Sequence, residues 1–169
     1  MLDAHRHVSV RPATAADAAA LAEIFQTSWY HAYTGVIPYA QLAKTLEHRG
    51  DHWWSRTLHR GRAYLILEVM GKPSGYASFG RARYPGPREG EIYELYLSPL
   101  YQGLGFGEHL FEACRVALDQ GGRKGLMVWV LRENHPARQF YIHRGGRAAL
   151  RRIDLSLGAP LEKLGYVWD

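Results

Sequence analysis

A glycine-rich segment, QGLGFG at residues 102–107, has the composition of a loop that binds phosphate. It follows a strand-like run, IYELYL, and precedes a helix-like run, EHLFEACRVAL. Free amide N–H groups at the start of a helix attract anions, and glycine removes the Cβ atoms that would block close approach. The segment therefore predicts an anion site at a strand-to-helix junction, with a tight turn that binds nothing as the alternative.

Spacing excludes two common phosphate motifs. A dinucleotide fingerprint, GxGxxG, that starts at Gly103 needs a third glycine at position 108, where the chain has Glu108. A P-loop needs GxxxxGK followed by serine or threonine, and the sequence contains no such run. The segment is therefore not a nicotinamide-dinucleotide, kinase or NTPase motif of these types.

The elements around this loop follow from hydrophobic periodicity and turn residues. Their predicted order is a strand, two helices, three strands, a helix, a strand, a helix and two strands, which is typical of a mixed-sheet α/β domain. The predicted strands cover 8–12, 62–70, 74–83, 91–97, 126–131, 149–155 and 161–168. Helices are predicted after Thr14, after Pro38, more weakly over 53–59, then over 107–118 and after Asn134.

Length and composition limit the classes of protein. A chain of 169 residues, 47% of them hydrophobic, predicts one domain over 1–169 with a real core. One cysteine excludes an internal disulfide framework, and the absence of a signal-peptide pattern predicts a cytoplasmic protein. The longest apolar run, LMVWVL at 126–131, is far shorter than the roughly 20 residues of a membrane helix.

The basic character of the chain is not concentrated in one tract. A net charge of +5 and a pI near 9.4 favour an anionic partner. Because the arginines are scattered and do not alternate with a base-stacking motif, direct nucleic-acid recognition is disfavoured. His48 and His52 lie four residues apart without an HExxH arrangement, so no metal site is predicted. Cys114, on the inward stripe of its helix, is expected to be a buried thiol.

Two blocks of sequence resemble the GNAT family of N-acetyltransferases. The stretch from Tyr93 to Leu118, with Q-x-x-G-x-G at 102–107, resembles the acetyl-coenzyme A loop of that family. The block NHPARQFYIHRG at 134–145 resembles its second motif, and both occur in the family's order. After Tyr141, however, the chain has Arg144, Gly145 and Gly146 where the family often has Leu-Gly-Phe.

The resemblance implies a fold and a cofactor. It implies a sheet of about seven strands flanked by helices and splayed between the fourth and fifth strands, with acetyl-coenzyme A as co-substrate and no metal. In the family the pantetheine arm pairs with the strand before the loop, and the loop amides bind the pyrophosphate. The implied cofactor-binding residues are Leu95, Leu97, Gln102, Gly103, Leu104, Gly105, Phe106, Gly107, Asn134 and Tyr141.

The resemblance also implies catalytic roles. The matching tyrosine, Tyr141, protonates the leaving thiolate, and the backbone N–H of Leu97 is the implied oxyanion donor. Glu91 aligns with the base of the histone-acetylating branch, whereas Glu94 is common in other branches. Strand alternation puts Glu91 and Glu94 on opposite faces, but a bulge in the strand would change that parity. The alignment favours Glu91 slightly and leaves Glu94 or a water relay open.

The acceptor is the least defined part. The family lines its acceptor pocket with the first helices, which implies Trp29, Tyr33 and Ile37, although the same residues also suit a core. The sequence predicts an N-acetyltransferase for a primary amine of a small molecule or peptide, and leaves a homodimer open. The alternatives are a non-catalytic acyl-coenzyme A binding module and a protein N-terminal or lysine acetyltransferase.

Overall fold

The computed structural model of the protein describes residues 7–169. Seven strands and five α-helices occur in this range, and short 3-10 turns precede α1 and follow β4. The elements are β1 Val8–Pro12, α1 Ala18–Tyr33, α2 Tyr39–His48, α3 Asp51–His59, β2 Tyr64–Val69, β3 Lys72–Arg81, β4 Gly90–Leu97, α4 Phe106–Gln120, β5 Leu126–Leu131, α5 His135–His143, β6 Arg147–Asp154 and β7 Leu161–Trp168. The predicted order is confirmed, including the short third helix.

The seven strands form one sheet in the order β1-β2-β3-β4-β5-β7-β6. All neighbours are antiparallel except β4 and β5, which are parallel and pair only from Gly90 opposite Leu126 to Ile92 opposite Val128. Beyond that pair the two strands diverge. The predicted α/β fold with a splay between the fourth and fifth strands is therefore confirmed.

The hairpin between β2 and β3 is tighter than predicted. The predicted strands over 62–70 and 74–83 leave Gly71, Lys72 and Pro73 as the turn, but Lys72 already pairs with Val69. The two turn residues are Met70 and Gly71, with φ of 53° and 77°. In a type I′ hairpin turn, whose twist matches that of the strands, both central residues have positive φ, which accounts for this geometry.

Helices cover both faces of the sheet. Helix α4 packs across β1 to β4, and α5 joins it in a core that contains Phe111, Cys114 and Tyr141. Helices α1 and α3 pack together on the opposite face around Phe25 and Trp54. Strand β5 lies between β4 and β7 and is buried along most of its length, as its apolar composition predicted. The gap between β4 and β5 thus opens between two helical layers.

Candidate active site

A cavity of about 490 Å³ lies where β4 and β5 diverge. Its walls come from the end of α1, from β4, from the glycine loop, from β5 and from α5. It reaches from the glycine loop, on the side of α4, to the last turn of α1, on the opposite face of the sheet. Two molecules that enter from these two sides would meet in the splay.

The glycine loop presents backbone amides at one end of this cavity. Gly103 and Gly105 have φ of 73° and 84°, which glycine adopts without the strain that other residues incur. A Cβ on Gly103 would have no neighbour within 4 Å, so this side of the loop is open. Within residues 7–169, no group accepts a hydrogen bond from the amides of Gly103, Leu104 or Gly105. Amides in this arrangement suit a pyrophosphate, as predicted for coenzyme A.

Gln102 and Gly107 have roles inside the protein. The Gln102 amide donates to the carbonyl of Pro99, and its side-chain Nε2 donates to the carbonyl of Leu97 at 3.0 Å. These bonds fix the loop to the end of β4. A Cβ on Gly107 would lie 3.0 Å from the Phe140 ring and 3.3 Å from Leu97, so this glycine permits close packing of α4 against α5.

Eight of the ten predicted cofactor residues line the cavity. Leu104 is exposed and Phe106 is buried in the core under α4, so their side chains lie outside the cavity wall. Asn134 caps α5, because its Oδ1 accepts from the Ala137 amide at 3.4 Å. The lining residues are Leu95, Leu97, Gln102, Gly103, Gly105, Gly107, Asn134 and Tyr141.

The backbone of β4 has an unpaired edge in the splay. The amide of Ser98 donates to the carbonyl of Ser74, on β3. Because successive N–H groups of a strand point in opposite directions, the amide of Leu97 points away from β3 and into the gap. This is the direction that an oxyanion donor at Leu97 requires.

Tyr141 is buried in an aromatic cluster and also reaches the cavity. It packs against Phe111, Tyr166 and Trp168, with its side chain 5% exposed. Burial raises the pKa of its phenol above the ordinary value, so the hydroxyl keeps its proton at neutral and moderately alkaline pH. A protonated phenol in this position can donate to a group inside the cavity.

Trp168 explains how the chain tolerates Gly146 in place of the usual family phenylalanine. A Cβ at Gly146 would lie 2.5 Å from the Trp168 ring, and the indole Nε1 donates to the carbonyl of Arg144 at 2.8 Å. The indole also packs against Phe111 and Tyr141. An aromatic from β7 thus occupies the space beside the end of α5, and glycine makes room for it.

The two candidate bases on β4 have different environments. The pairing of β4 with β3 shifts register at Tyr93, since Ser78 pairs with Glu94 while Phe79 pairs with Ile92. This is the bulge that the sequence left open. It turns Glu94 toward α1 and α3, whereas Ile92 and Leu95 face α4.

Glu91, the carboxylate that the alignment favoured, does not line the cavity. Its side chain is fully buried and accepts hydrogen bonds from the backbone amide and the guanidinium of Arg83. A carboxylate that is fully enclosed by an ion pair has no route to a substrate. The geometry therefore turns the preference from Glu91 to Glu94, which does line the cavity.

Arg49 holds Glu94 in a bidentate ion pair. The guanidinium nitrogens lie 2.6 and 3.1 Å from the two carboxylate oxygens. Arg49 itself, only 13% exposed, is stacked on aromatic rings, with its Cζ 4.1 Å from the centre of Phe25 and 4.3 Å from that of Trp53. Each oxygen of Glu94 still has one free acceptor position, so the carboxylate can hold a water or an ammonium group.

Two tyrosine hydroxyls adjoin this ion pair. Tyr33 Oη and Tyr96 Oη lie 2.6 Å apart, and both residues line the cavity. Burial raises the pKa of both phenols, and the charge of Glu94 acts in the same direction on each. The pair is therefore neutral near pH 7, and its hydroxyls can donate to and accept from an amine.

The structure brings one of the three predicted acceptor residues to the cavity. Tyr33 lines it, whereas Trp29 packs between Phe25 and Tyr96 and Ile37 is buried beside Tyr33. Further polar side chains line the cavity without having been predicted. Their signals are weak in the sequence, because each belongs to a residue type that recurs many times along the chain; they are Ser28, His31, Tyr96, Glu133, His143 and Arg144.

Other candidates for chemistry have structural roles. Cys114 is buried as predicted, and burial raises the pKa of its thiol to about 12, so it is not a thiolate near pH 7. No group of three or more His, Cys, Asp or Glu side chains in the part of the chain that the structure describes could hold a metal ion. Over the same residues, no helix combines the length and the apolar character that crossing a bilayer requires.

The sequence is similar to a family of acetyltransferases and to individual proteins. Residues 18–145 match the model of the Acetyltransferase (GNAT) family. The chain is 30% identical over 165 residues to YuaI of Bacillus subtilis strain 168, an uncharacterized N-acetyltransferase, covering 95% of this chain and 92% of that protein. It is 38% identical over 106 residues to MnaT of Escherichia coli K12, an L-amino acid N-acyltransferase, covering 61% of this chain and 58% of MnaT.

Solved structures share the fold. The PaiA N-acetyltransferase of Thermoplasma acidophilum, in complex with coenzyme A, superposes with a TM-score of 0.76 at 17% identity, covering 95% of this chain and 99% of that one. A GCN5-related N-acetyltransferase of Rhodopseudomonas palustris superposes with a TM-score of 0.73 at 25% identity, covering 94% of this chain and 93% of that one.

Proposed function

The chain belongs to the GNAT acetyltransferase family, and from that premise we propose that it acetylates a primary amine of a small molecule or peptide. Members of this family are acyltransferases that use acetyl-coenzyme A. This chain is therefore an acyltransferase with acetyl-coenzyme A as its co-substrate, as predicted. We further propose that residues 1–169 form one catalytic domain. The observation that carries the acceptor proposal is the cavity that joins the glycine loop to Glu94 and Tyr33.

We assign the cofactor to the glycine-loop end of the cavity. The open amides of Gly103, Leu104 and Gly105 fit the two charges of a pyrophosphate. The unpaired edge of β4 fits the amide groups of a pantetheine arm, with the Leu97 amide directed at the thioester carbonyl. When bound, acetyl-coenzyme A supplies the activated acyl group for transfer.

Proton transfer is assigned to two residues on opposite sides of the splay. Glu94 holds a water that takes the proton of the acceptor amine and passes it to the carboxylate, on the acceptor positions that Arg49 leaves free. The paired hydroxyls of Tyr33 and Tyr96 orient the amine nitrogen. Tyr141, kept neutral by burial, donates its proton to the departing thiolate.

The test measures binding and turnover separately. We expect isothermal calorimetry to detect acetyl-coenzyme A binding, and a thiol-release assay over a library of primary amines to detect turnover with at least one of them. Absence of acetyl-coenzyme A binding would contradict the family-based assignment of the loop. Tight binding with no turnover on any amine would instead favour the non-catalytic acyl-coenzyme A module.

A further inference from the structure

We propose that Arg152 is the anchor for a carboxylate carried by the acceptor, so that the enzyme selects amines such as amino acids or short peptides with a free C-terminus. This inference rests on the proposed acetylation of amines and names the class of acceptor. Arg152 lies on β6, and its guanidinium carbon is 3.8 Å from the centre of the Tyr84 ring and 6.0 Å from that of Trp129. We call these three residues the arginine shelf.

The basic residues around Arg152 already have carboxylate partners. Arg151 and Arg132 both contact Glu162 at 2.6 Å, and Lys163 contacts Asp154 at 2.5 Å. Among the residues that the structure describes, no carboxylate forms an ion pair with Arg152. The local acidic groups are thus used by its neighbours, and the charge of Arg152 is left for an external anion.

The stacking of Arg152 on Tyr84 also leaves its N–H donors oriented to bind a carboxylate. A guanidinium stacked on an aromatic ring uses its flat face, while its N–H groups point outward in the plane. These groups form a fork that matches the two oxygens of a carboxylate. The Tyr84 ring thereby holds the fork in place before any ligand binds, which distinguishes Arg152 from an ordinary mobile surface arginine.

The fold connects the arginine shelf to the acceptor side of the cavity. Trp129 is the first residue of β5 beyond the last β4–β5 pair, and it lines the cavity. Its neighbours Val128 and Val130 belong to the core under α4, so alternation turns Trp129 to the opposite face of the sheet, the face that α1 covers near β4. The shelf therefore lies on the face opposite the glycine loop, where its charge serves the acceptor and not the cofactor phosphates.

Gly165 makes the shelf sterically feasible. A Cβ at this position on β7 would lie 3.2 Å from the outer atoms of the Trp129 indole and 2.8 Å from Leu150 Cβ. Glycine allows the indole to extend across β7 toward Tyr84, whose ring centre is 5.6 Å away. Trp129 thus belongs both to the cavity wall and to the shelf, while Tyr84 and Arg152 lie next to it beyond the cavity lining.

The test compares acceptors that differ only in the carboxylate. Each common L-amino acid is paired with its C-terminal amide, a set of dipeptides tests the peptide source, and thiol release gives kcat/KM for each. We expect the wild type to prefer the acid over the amide by about 10- to 100-fold, the range of a paired charged hydrogen bond. Arg152→Gln should abolish this preference through KM and leave the amide unaffected, while Arg152→Lys should keep part of it.

Arg151→Gln is the matched control, because it removes a neighbouring arginine that already pairs with Glu162. It should keep the full preference. The inference would be overturned if the wild type showed no preference for acids, or if that preference survived in Arg152→Gln. In either case, turnover of the amides would leave the proposed function standing. A rise in KM for acetyl-coenzyme A in Arg152→Gln, without a change in acceptor preference, would also overturn it.

A binding readout covers the case in which no acceptor turns over. Calorimetry with the protein saturated by coenzyme A measures the affinity of each acid and its amide directly. Binding of acids that is weakened in Arg152→Gln but not in Arg151→Gln would support the anchor even though the proposed function had failed. Equal affinity of acid and amide would reject the anchor by itself.

Discussion

The two ends of the cavity are lined differently, by backbone groups at one end and by side chains at the other. At the cofactor end the wall is backbone, with the amides of Gly103 to Gly105 and the free edge of β4 directed inward. At the acceptor end the wall is side chains, with Glu94, Tyr33 and Tyr96 held by a cluster of rings around Arg49. A backbone wall suits a ligand shared by all members of the family, whereas a side-chain wall can change with the acceptor.

The largest loss of stability is expected from substitution of Arg49, which holds Glu94 at the acceptor end of the cavity. Arg49→Met should destabilise the protein by roughly 3–5 kcal/mol, because Glu94 then loses its partner in a site where both side chains are less than one-sixth exposed. Urea denaturation measures the free energy of unfolding. If the acceptor end depends on this pair, the variant should also lose more activity than its remaining folded fraction explains.

Two further variants serve as controls for Arg49→Met. Arg132→Met breaks the more exposed pair with Glu162 and should change the free energy of unfolding far less than Arg49→Met does. In the double variant Arg49→Met with Glu94→Gln, the uncompensated charge is gone, so part of the lost stability should return. A loss below about 1 kcal/mol for Arg49→Met alone would mean that the aromatic cluster, and not the ion pair, fixes the acceptor end.

The same contrast decides what the sequence could predict. The glycine loop and the block from Asn134 to Tyr141 are contiguous segments, so each could be matched to a family motif, and that resemblance indicated their position at the cavity. The acceptor end is assembled from distant residues, since Arg49 and Glu94 are 45 positions apart and Tyr33 and Tyr96 are 63 apart. Hydrophobic periodicity along a single helix or strand does not indicate which distant residues pair.

The sequence could not separate Glu91 from Glu94 as the candidate base, for a local reason. One extra residue at Tyr93 changes which face the following side chains take, and no residue type in IYELYL marks a bulge. The partner of each carboxylate was also hidden, because Arg83 and Arg49 lie among 21 basic residues of similar local context. The replacement of the family's core phenylalanine by Trp168 depended equally on a contact between distant segments.

Tyr141 lies between the two ends and gives the next largest effect. Tyr141→Phe should lower kcat about 100-fold, the lower part of the range for general acid catalysis, while leaving acetyl-coenzyme A affinity unchanged. Since burial raises the pKa of this phenol, ionisation of Tyr141 should cause no loss of activity below about pH 10. Single-turnover kinetics and calorimetry measure the two quantities, and a wild-type rate in the variant would remove Tyr141 from the mechanism.

A smaller effect tests the backbone wall. Gly103→Ala introduces a Cβ with open space around it, so its whole cost is the strain of a positive φ, about 1–2 kcal/mol. We expect the loop to relax and acetyl-coenzyme A to bind about 10-fold more weakly, with acceptor KM unchanged. Gly86→Ala, also in open space but without positive φ, is the control and should bind normally. A change in acceptor KM for Gly103→Ala would break the separation of the two ends.

The smallest effect concerns an ion pair beside the arginine shelf. Burial acts to raise the pKa of Asp154, but hydrogen bonds from Lys163 and Ser156 outweigh it and bring the pKa to about 2. A lowered carboxyl pKa contributes stability that is present above the unfolded value near 4 and is lost as the pH falls toward 2. Asp154→Asn should therefore cost about 1 kcal/mol at pH 7, with the difference from wild type shrinking progressively below about pH 4.

Urea midpoints of the wild type and the variant over a series of pH values measure this difference. Glu112→Gln, which removes an exposed carboxylate from α4, serves as the matched control and should change little at any pH. If Asp154→Asn is equally destabilising at pH 7 and pH 3, its role is steric and not electrostatic. If instead it is neutral in stability but weakens the preference for acids, Asp154 acts on the acceptor end through Lys163 and the neighbouring Arg152, which would extend the side-chain wall to β6.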